Sequence, residues 1–113
     1  MKNLKIIAHR GASFDAPENT LASVNLAWSQ NIHHVEVDVK LTKDNIIVVF
    51  HDDTTMRYNQ VDRLLNQYSL EELSTIDVGI FKGEQWKNES IPTLEQVLKT
   101  IPKNGTLVVE LKD

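Results

Sequence analysis

The sequence predicts an α/β domain built on a mainly parallel sheet. Three observations lead there. Short β-type apolar runs recur at Leu4 to Ala8, Val35 to Leu41, Ile46 to Phe50 and Thr106 to Leu111. Stretches with helical periodicity or helix-start signals separate most of them. Polar residues able to do chemistry sit in or just after these runs, at the strand ends where parallel α/β sheets bind ligands.

Each element has its own signal. Leu4 to Ala8 runs into His9-Arg10-Gly11 and reads as a buried strand entering a loop. Pro17 and Asn19 announce a helix over about Thr20 to Gln30, where Leu21, Val24, Ala27 and Trp28 recur at helical spacing. From 35 to 41 the chain alternates, with Val35, Val37, Val39 and Leu41 on one face and Glu36, Asp38 and Lys40 on the other. Lys43-Asp44-Asn45 is a turn signal before the run Ile46 to Phe50. Residues 53 to 68 read as polar and irregular. Ser69 and Glu72 form a capping box for a short helix reaching about Ile76, and residues 79 to 90 read as loop. Thr93 and Gln96 repeat that box for a helix ended by Asn104-Gly105. The last strand, Thr106 to Leu111, sets Leu107, Val109 and Leu111 on one face.

One link resists a parallel reading. Seven residues separate Asp38 from Ile46, too few for a crossover helix. Either the chain returns extended, or residues 35 to 51 form a hairpin that sets His51 opposite Val37. Both bring His51 near Glu36 and Asp38.

A chain of 113 residues holds one domain of ordinary size, and 41% hydrophobic with 25% charged residues suits a globular fold. Lys and Arg total 12 against 16 Asp and Glu, a net charge of −4, which argues against nucleic-acid binding through a basic field. No Cys is present, so a disulfide framework, a thiolate nucleophile and Cys-ligated metals are excluded. The apolar runs fall far short of the ~18 residues of a membrane span. Arg10 interrupts the N-terminal apolar stretch before it could form a signal-peptide core, so a cytoplasmic protein is expected.

His9, Glu36, Asp38, His51 and Glu110 share the strand-end pattern. Buried unpaired charges cost several kcal/mol, so such groups need partners or a metal. Glu36 and Asp38, two apart on one strand, point the same way. With Glu110 from another strand they suit Mg²⁺ or Ca²⁺ better than zinc. The pair alone also fits the solvated face of an edge strand. His9 and His51 are candidates for proton transfer, since imidazole titrates near neutral pH. Arg10 can fork onto phosphate oxygens and Lys112 adds a point charge. Gly11 allows a sharp turn beside Arg10. Phe81 and Trp86 either wall a pocket or anchor their loop. His33-His34 reads as helix-end surface with no chemistry.

Together these residues resemble the glycerophosphodiester phosphodiesterase family. The likeness runs through His9-Arg10-Gly11, Pro17-Glu18-Asn19-Thr20, Glu36-x-Asp38, Thr42-x-Asp44 and His51-Asp52. It continues through Phe81-x-Gly83-Glu84, residues 91 to 98 and Glu110-Leu111-Lys112. The resemblance implies a TIM-type (β/α)₈ barrel and metal-dependent hydrolysis of glycerophosphodiesters to glycerol 3-phosphate and an alcohol. It makes His9 and His51 the acid–base pair, with their order open. It assigns Glu36, Asp38 and Glu110 to Mg²⁺ or Ca²⁺ and Arg10 and Lys112 to phosphate, and it has Glu18 and Asn19 brace the site. One imidazole would deprotonate an attacking hydroxyl, such as the substrate's own glycerol 2-OH, and the other would protonate the departing alcohol. The alternatives are a lysophospholipid-cleaving phosphodiesterase of the same barrel superfamily, and a non-catalytic phosphodiester- or metal-binding remnant.

Such a barrel takes about 250 residues. Residues 1–113 therefore correspond to its N-terminal half, about four strands with their helices. Three expectations follow: a segment of a longer protein, a homodimer closing a barrel across a two-fold, or a remnant with little activity.

Overall fold

The computed structural model describes residues 6–111. Four strands form one sheet: β1 (Ile7–His9), β2 (His34–Leu41), β3 (Ile47–Val49) and β4 (Thr106–Leu111). Helices α1 (Leu21–Ser29), α2 (Met56–Asn59), α3 (Leu70–Leu73) and α4 (Leu94–Leu98) lie between them. β1 and β4 pair with β2 in parallel, while β3 is antiparallel to it. The sheet is thus three parallel strands plus a hairpin arm. The part of the first strand expected at Leu4 and Lys5, and Lys112, lie outside the described residues.

The short 38-to-46 link resolves as the hairpin. Val39 pairs with Val49 and Leu41 with Ile47. Continuing that register places residue 51 beside residue 37. Thr42 closes the turn, since its hydroxyl accepts the Ile46 amide and donates to Asp44, while Asn45 adopts φ 66°. The carbonyls of Glu36 and Asp38 face the same edge of β2. Gly11 N–H donates to the first and Phe50 N–H to the second, so β3 continues the edge that β1 begins.

The apolar face of β2 makes the core. Val35, Val37 and Val39 are buried against Val24 and Ala27 of α1 and Val97 of α4. β3 and the residue after it split their side chains: Val49 joins this cluster, while Val48 and Phe50 enter a second one with Leu65, Tyr68, Leu73, Ile76, Val78 and Ile91. The opposite face of β2 is also covered. Glu36, Asp38 and Lys40 are buried, which corrects the edge-strand alternative: β2 has neighbours along both edges.

Capping fixes three of the helices. Thr20 with Ser23, Ser69 with Glu72 and Thr93 with Gln96 each satisfy two helix-end donors reciprocally. α3 ends at Leu73, short of the expected Ile76. α4 ends at Leu98 rather than near Asn104. Pro102 explains this, because it lacks an N–H and biases Ile101 away from helical angles. Residues 53 to 68 are more ordered than expected, holding α2 and a 3₁₀ turn at Leu65–Gln67. Loop 79–90 is pinned by Asp77, whose carboxylate accepts from the amides of Gly79, Ile80 and Asn88. Phe81 stacks edge-on against Tyr58 at 5.1 Å, the anchoring alternative. His33 and His34 do not end a helix; His34 opens β2, level with Ile7 and Thr106.

Among the described residues no strand lies beyond β4, and Val108, Val109 and Leu111 are exposed, with only Leu107 reaching the core. Ile7 of β1 and Ile6 just before it are exposed. Open edges with apolar side chains template association. The purified 113-residue polypeptide is therefore expected to sediment as a dimer or larger assembly. A single monomeric boundary with a cooperative melt would count against that.

Candidate active site

Register builds the site. His9 of β1 pairs with Glu36 of β2, and Glu110 of β4 pairs with Asp38. Neighbouring strands lie about 4.8 Å apart, so these two pairs sit two residues apart at the same end of the sheet. Glu36, Asp38 and Glu110 can bring carboxylate oxygens within 4.8 Å of one another. Asp38 is 1% exposed and Glu36 8%, while Glu110 is open to solvent.

Each buried acid has its own partners. Glu36 Oε1 accepts the Arg10 amide at 3.1 Å and lies 3.7 Å from His9 Nε2. Asp38 Oδ2 accepts Asn19 Nδ2 at 3.1 Å, and the Asp38 amide donates to Asn19 Oδ1 at 3.2 Å. Arg10 Nε sits 3.2 Å from the same Asp38 oxygen. Burial, reinforced by the Asp38 charge, holds the Glu36 carboxyl above the usual carboxylate range, although the Arg10 amide pulls the other way. Glu36 Oε2 is buried with no hydrogen-bond donor. An oxygen of that kind beside two further carboxylates fits a hard divalent cation, which would take all three as oxygen ligands.

The structure brings Glu36, Asp38 and Glu110 together and sets His9, Arg10 and Asn19 against them. His9 stands at the rim with a side chain 64% exposed. His51 follows the hairpin arm, and its Nδ1 meets Asp52 Oδ1 at 3.0 Å. Glu18 accepts Arg10 Nη1 at 3.3 and 3.4 Å. Asn19 braces Asp38 as described. Lys112 lies outside the described residues.

Two residues escaped the sequence reading. Arg57 binds both Glu18 and Asp52. Lys40, buried on the Glu36–Asp38 face, pairs with Asp53 at 3.1 Å. The β2 alternation signalled Lys40. Nothing signalled Arg57, because the four-residue α2 is too short to show a period.

Burial opposes ionisation of Asp52, but hydrogen bonds from Arg57 and His51 prevail and hold its carboxyl below the ordinary range. A depressed folded-state value adds stability above the unfolded value and loses it as pH falls through the folded one. The melting temperature should drop from about pH 4 downward, and less steeply in Asp52→Asn. Parallel melting curves for the two proteins across that range would remove this contribution.

Comparison with known proteins gives these contacts a setting. A glycerophosphodiester phosphodiesterase of Caldanaerobacter subterraneus subsp. tengcongensis is 42% identical over 113 residues, covering 99% of this chain and 46% of that protein. A solved Oleispira antarctica phosphodiesterase, in complex with the product sn-glycerol-3-phosphate, is 46% identical with a TM-score of 0.89. The match covers 96% of this chain and 44% of that one. The glycerophosphodiester phosphodiesterase structure from Agrobacterium tumefaciens is 32% identical with a TM-score of 0.90, covering 98% of this chain and 48% of its own. The chain thus spans about half the length of the relatives it matches. The likeness sets β1, β2 and β4, with their helices, in a partial TIM-type (β/α) barrel. Residues 9–112 match the Glycerophosphoryl diester phosphodiesterase family, and the chain belongs to it.

Proposed function

We propose that the protein is a cytoplasmic, metal-dependent phosphodiesterase that hydrolyses glycerophosphodiesters to glycerol 3-phosphate and an alcohol. Residues 1–113 would form the N-terminal half of its barrel domain. The observation that carries the proposal is the convergence of Glu36, Asp38 and Glu110 at one end of the sheet, with His9 and Arg10 on its edge. The product-bound Oleispira antarctica relative supports the same substrate class.

Glu36, Asp38 and Glu110 would hold Mg²⁺ or Ca²⁺, whose charge would offset the negative charge that builds on the phosphoryl oxygens. Arg10, and Lys112 by its place in the motif, would orient the phosphate. One imidazole of the His9–His51 pair takes the proton of the attacking hydroxyl as its oxygen bonds to phosphorus. The other gives a proton to the alcohol oxygen as that P–O bond breaks; where the attacking hydroxyl is the substrate's own glycerol 2-OH, water then adds to phosphorus and one ring P–O bond of the cyclic phosphate breaks to give glycerol 3-phosphate. His9 is exposed enough to reach a substrate. Among the described residues only the Nδ1 side of His51 is engaged, by Asp52, and Nε2 has no partner. Asn19 and Glu18 keep Asp38 and Arg10 in place.

Release of glycerol 3-phosphate from glycerophosphocholine, with Mg²⁺ or Ca²⁺ and with chelator, tests the reading. His9→Ala and His51→Ala should each lower kcat by ~10²-fold or more. Near-normal turnover in either variant would strike that residue from the proton-transfer pair. Glu36→Gln and Asp38→Asn should weaken divalent-metal binding by at least ~10-fold, as loss of a charged ligand implies. Calorimetry giving an unaltered affinity would move the metal elsewhere.

A further inference from the structure

Arg57 sits on α2, outside the strand ends that hold the other site groups. Its position is fixed from below. Tyr58 packs on Phe50 at 5.5 Å, and the Thr55 hydroxyl meets the Tyr68 hydroxyl at 2.8 Å. The guanidinium lies over the Tyr58 ring at 4.8 Å. From there it makes four hydrogen bonds to two carboxylates. Nε and Nη2 reach Asp52 Oδ2 and Oδ1 at 3.0 and 2.9 Å. Nη1 and Nη2 reach Glu18 Oε1 and Oε2 at 3.2 and 2.8 Å.

A surface ion pair contributes little, but this one differs in two respects. Both carboxylates are gripped by two bonds each, in the fork geometry particular to Arg. Each carboxylate also holds a second site group: Asp52 takes His51 Nδ1, and Glu18 takes Arg10 Nη1. Without the cation, Glu18 and Asp52 would face each other as like charges, because both belong to one cluster with ligand atoms within 4.8 Å.

We propose that Arg57 is a positioning residue. Its guanidinium clamps Asp52 and Glu18 together, so that Asp52 fixes the His51 ring with its proton on Nδ1 and Glu18 keeps Arg10 aimed at Asp38. An ionised carboxylate can only accept, so the ring nitrogen facing Asp52 must be the donor. Nε2 is then the atom left to exchange a proton with substrate. Lys at position 57 would keep the charge but could not fork onto both partners. The catalytic half of this inference rests on the reading of His51 as a proton-transfer group.

The test uses the full chain with isotope-labelled histidine, His51 being assigned through His51→Gln. Spectra are taken at alkaline pH, where a free imidazole is neutral. Wild type should show the Nδ1–H tautomer. Arg57→Ala and Arg57→Lys should both give a mixture of tautomers and lower kcat on glycerophosphocholine about 10²-fold, the scale set by small misplacements of a reacting group. Added guanidinium should restore part of both signals in Arg57→Ala. Folded variants that keep the wild-type tautomer overturn the proposal, whatever their kcat. If Arg57→Ala fails to fold, Arg57→Lys, which keeps the stem and the charge, carries the test. A tautomer that follows residue 57 in a protein with no diesterase activity keeps the positioning role and refutes the functional reading instead.

Discussion

Two carboxylates on the buried central strand are the constraint from which the rest of the structure follows. β2 has neighbours on both edges and is covered on both faces, yet Glu36 and Asp38 lie side by side on one of those faces. Unpaired, such charges would cost several kcal/mol each. Their surroundings answer that cost separately. Glu36 receives a backbone amide and an imidazole edge, while Asp38 receives a carboxamide and a guanidinium. What stays unanswered is Glu36 Oε2, on a carboxylate that gathers with those of Asp38 and Glu110. Three carboxylates gathered around that oxygen form a donor set that would fit a hard cation.

The loop after β1 supplies most of those partners, at the expense of backbone strain. Arg10 and Asn19 adopt φ 57° and 56°, and Gly11 adopts φ 78°. Non-glycine residues in that region cost of order 1–3 kcal/mol and persist where surrounding contacts fix them. Here the contacts are visible. The Arg10 carbonyl accepts from the Asn19 amide and the Ser23 hydroxyl, while its amide turns to Glu36. A Cβ on Gly11 would stand 2.3 Å from Ser23 Oγ, so only glycine lets α1 pack this close. The same strained turn therefore aims Arg10, seats α1 and delivers Asn19 to Asp38.

Much of this was legible in the sequence, for identifiable reasons. Alternation from 35 to 41 gave β2 and the shared face of Glu36 and Asp38, because a period of two survives whatever covers the strand. The seven-residue link forced a choice that included the hairpin now seen, since parallel strands need a longer connection. The capping boxes at Thr93 and Ser69 marked helix starts because their chemistry is local. Helix ends were less legible. α4 stops at Leu98 under the influence of Pro102, four residues on, whereas the Asn104-Gly105 signal belongs to the turn into β4. Coverage of the β2 polar face was not legible either. Edge and centre strands share one pattern, and only tertiary pairing separates them.

Arg57 shows the deeper limit. No spacing ties it to Glu18, 39 residues earlier, and its helix is too short to carry a period. It is placed by the second core, which holds the hairpin arm and α2 through Phe50, Tyr58 and Tyr68. Its charge nevertheless fits an order that the fold imposes. From Asp52 the sequence of contacts runs to Arg57, Glu18, Arg10 and Asp38, and the sign alternates at every step. Each cation lies between two anions, so removing either would leave two carboxylates facing each other at a partly buried site. The array is therefore coupled end to end: His51 at one terminus and the carboxylates of β2 at the other share a single electrostatic arrangement, which neither the strand ends nor the helices could provide alone.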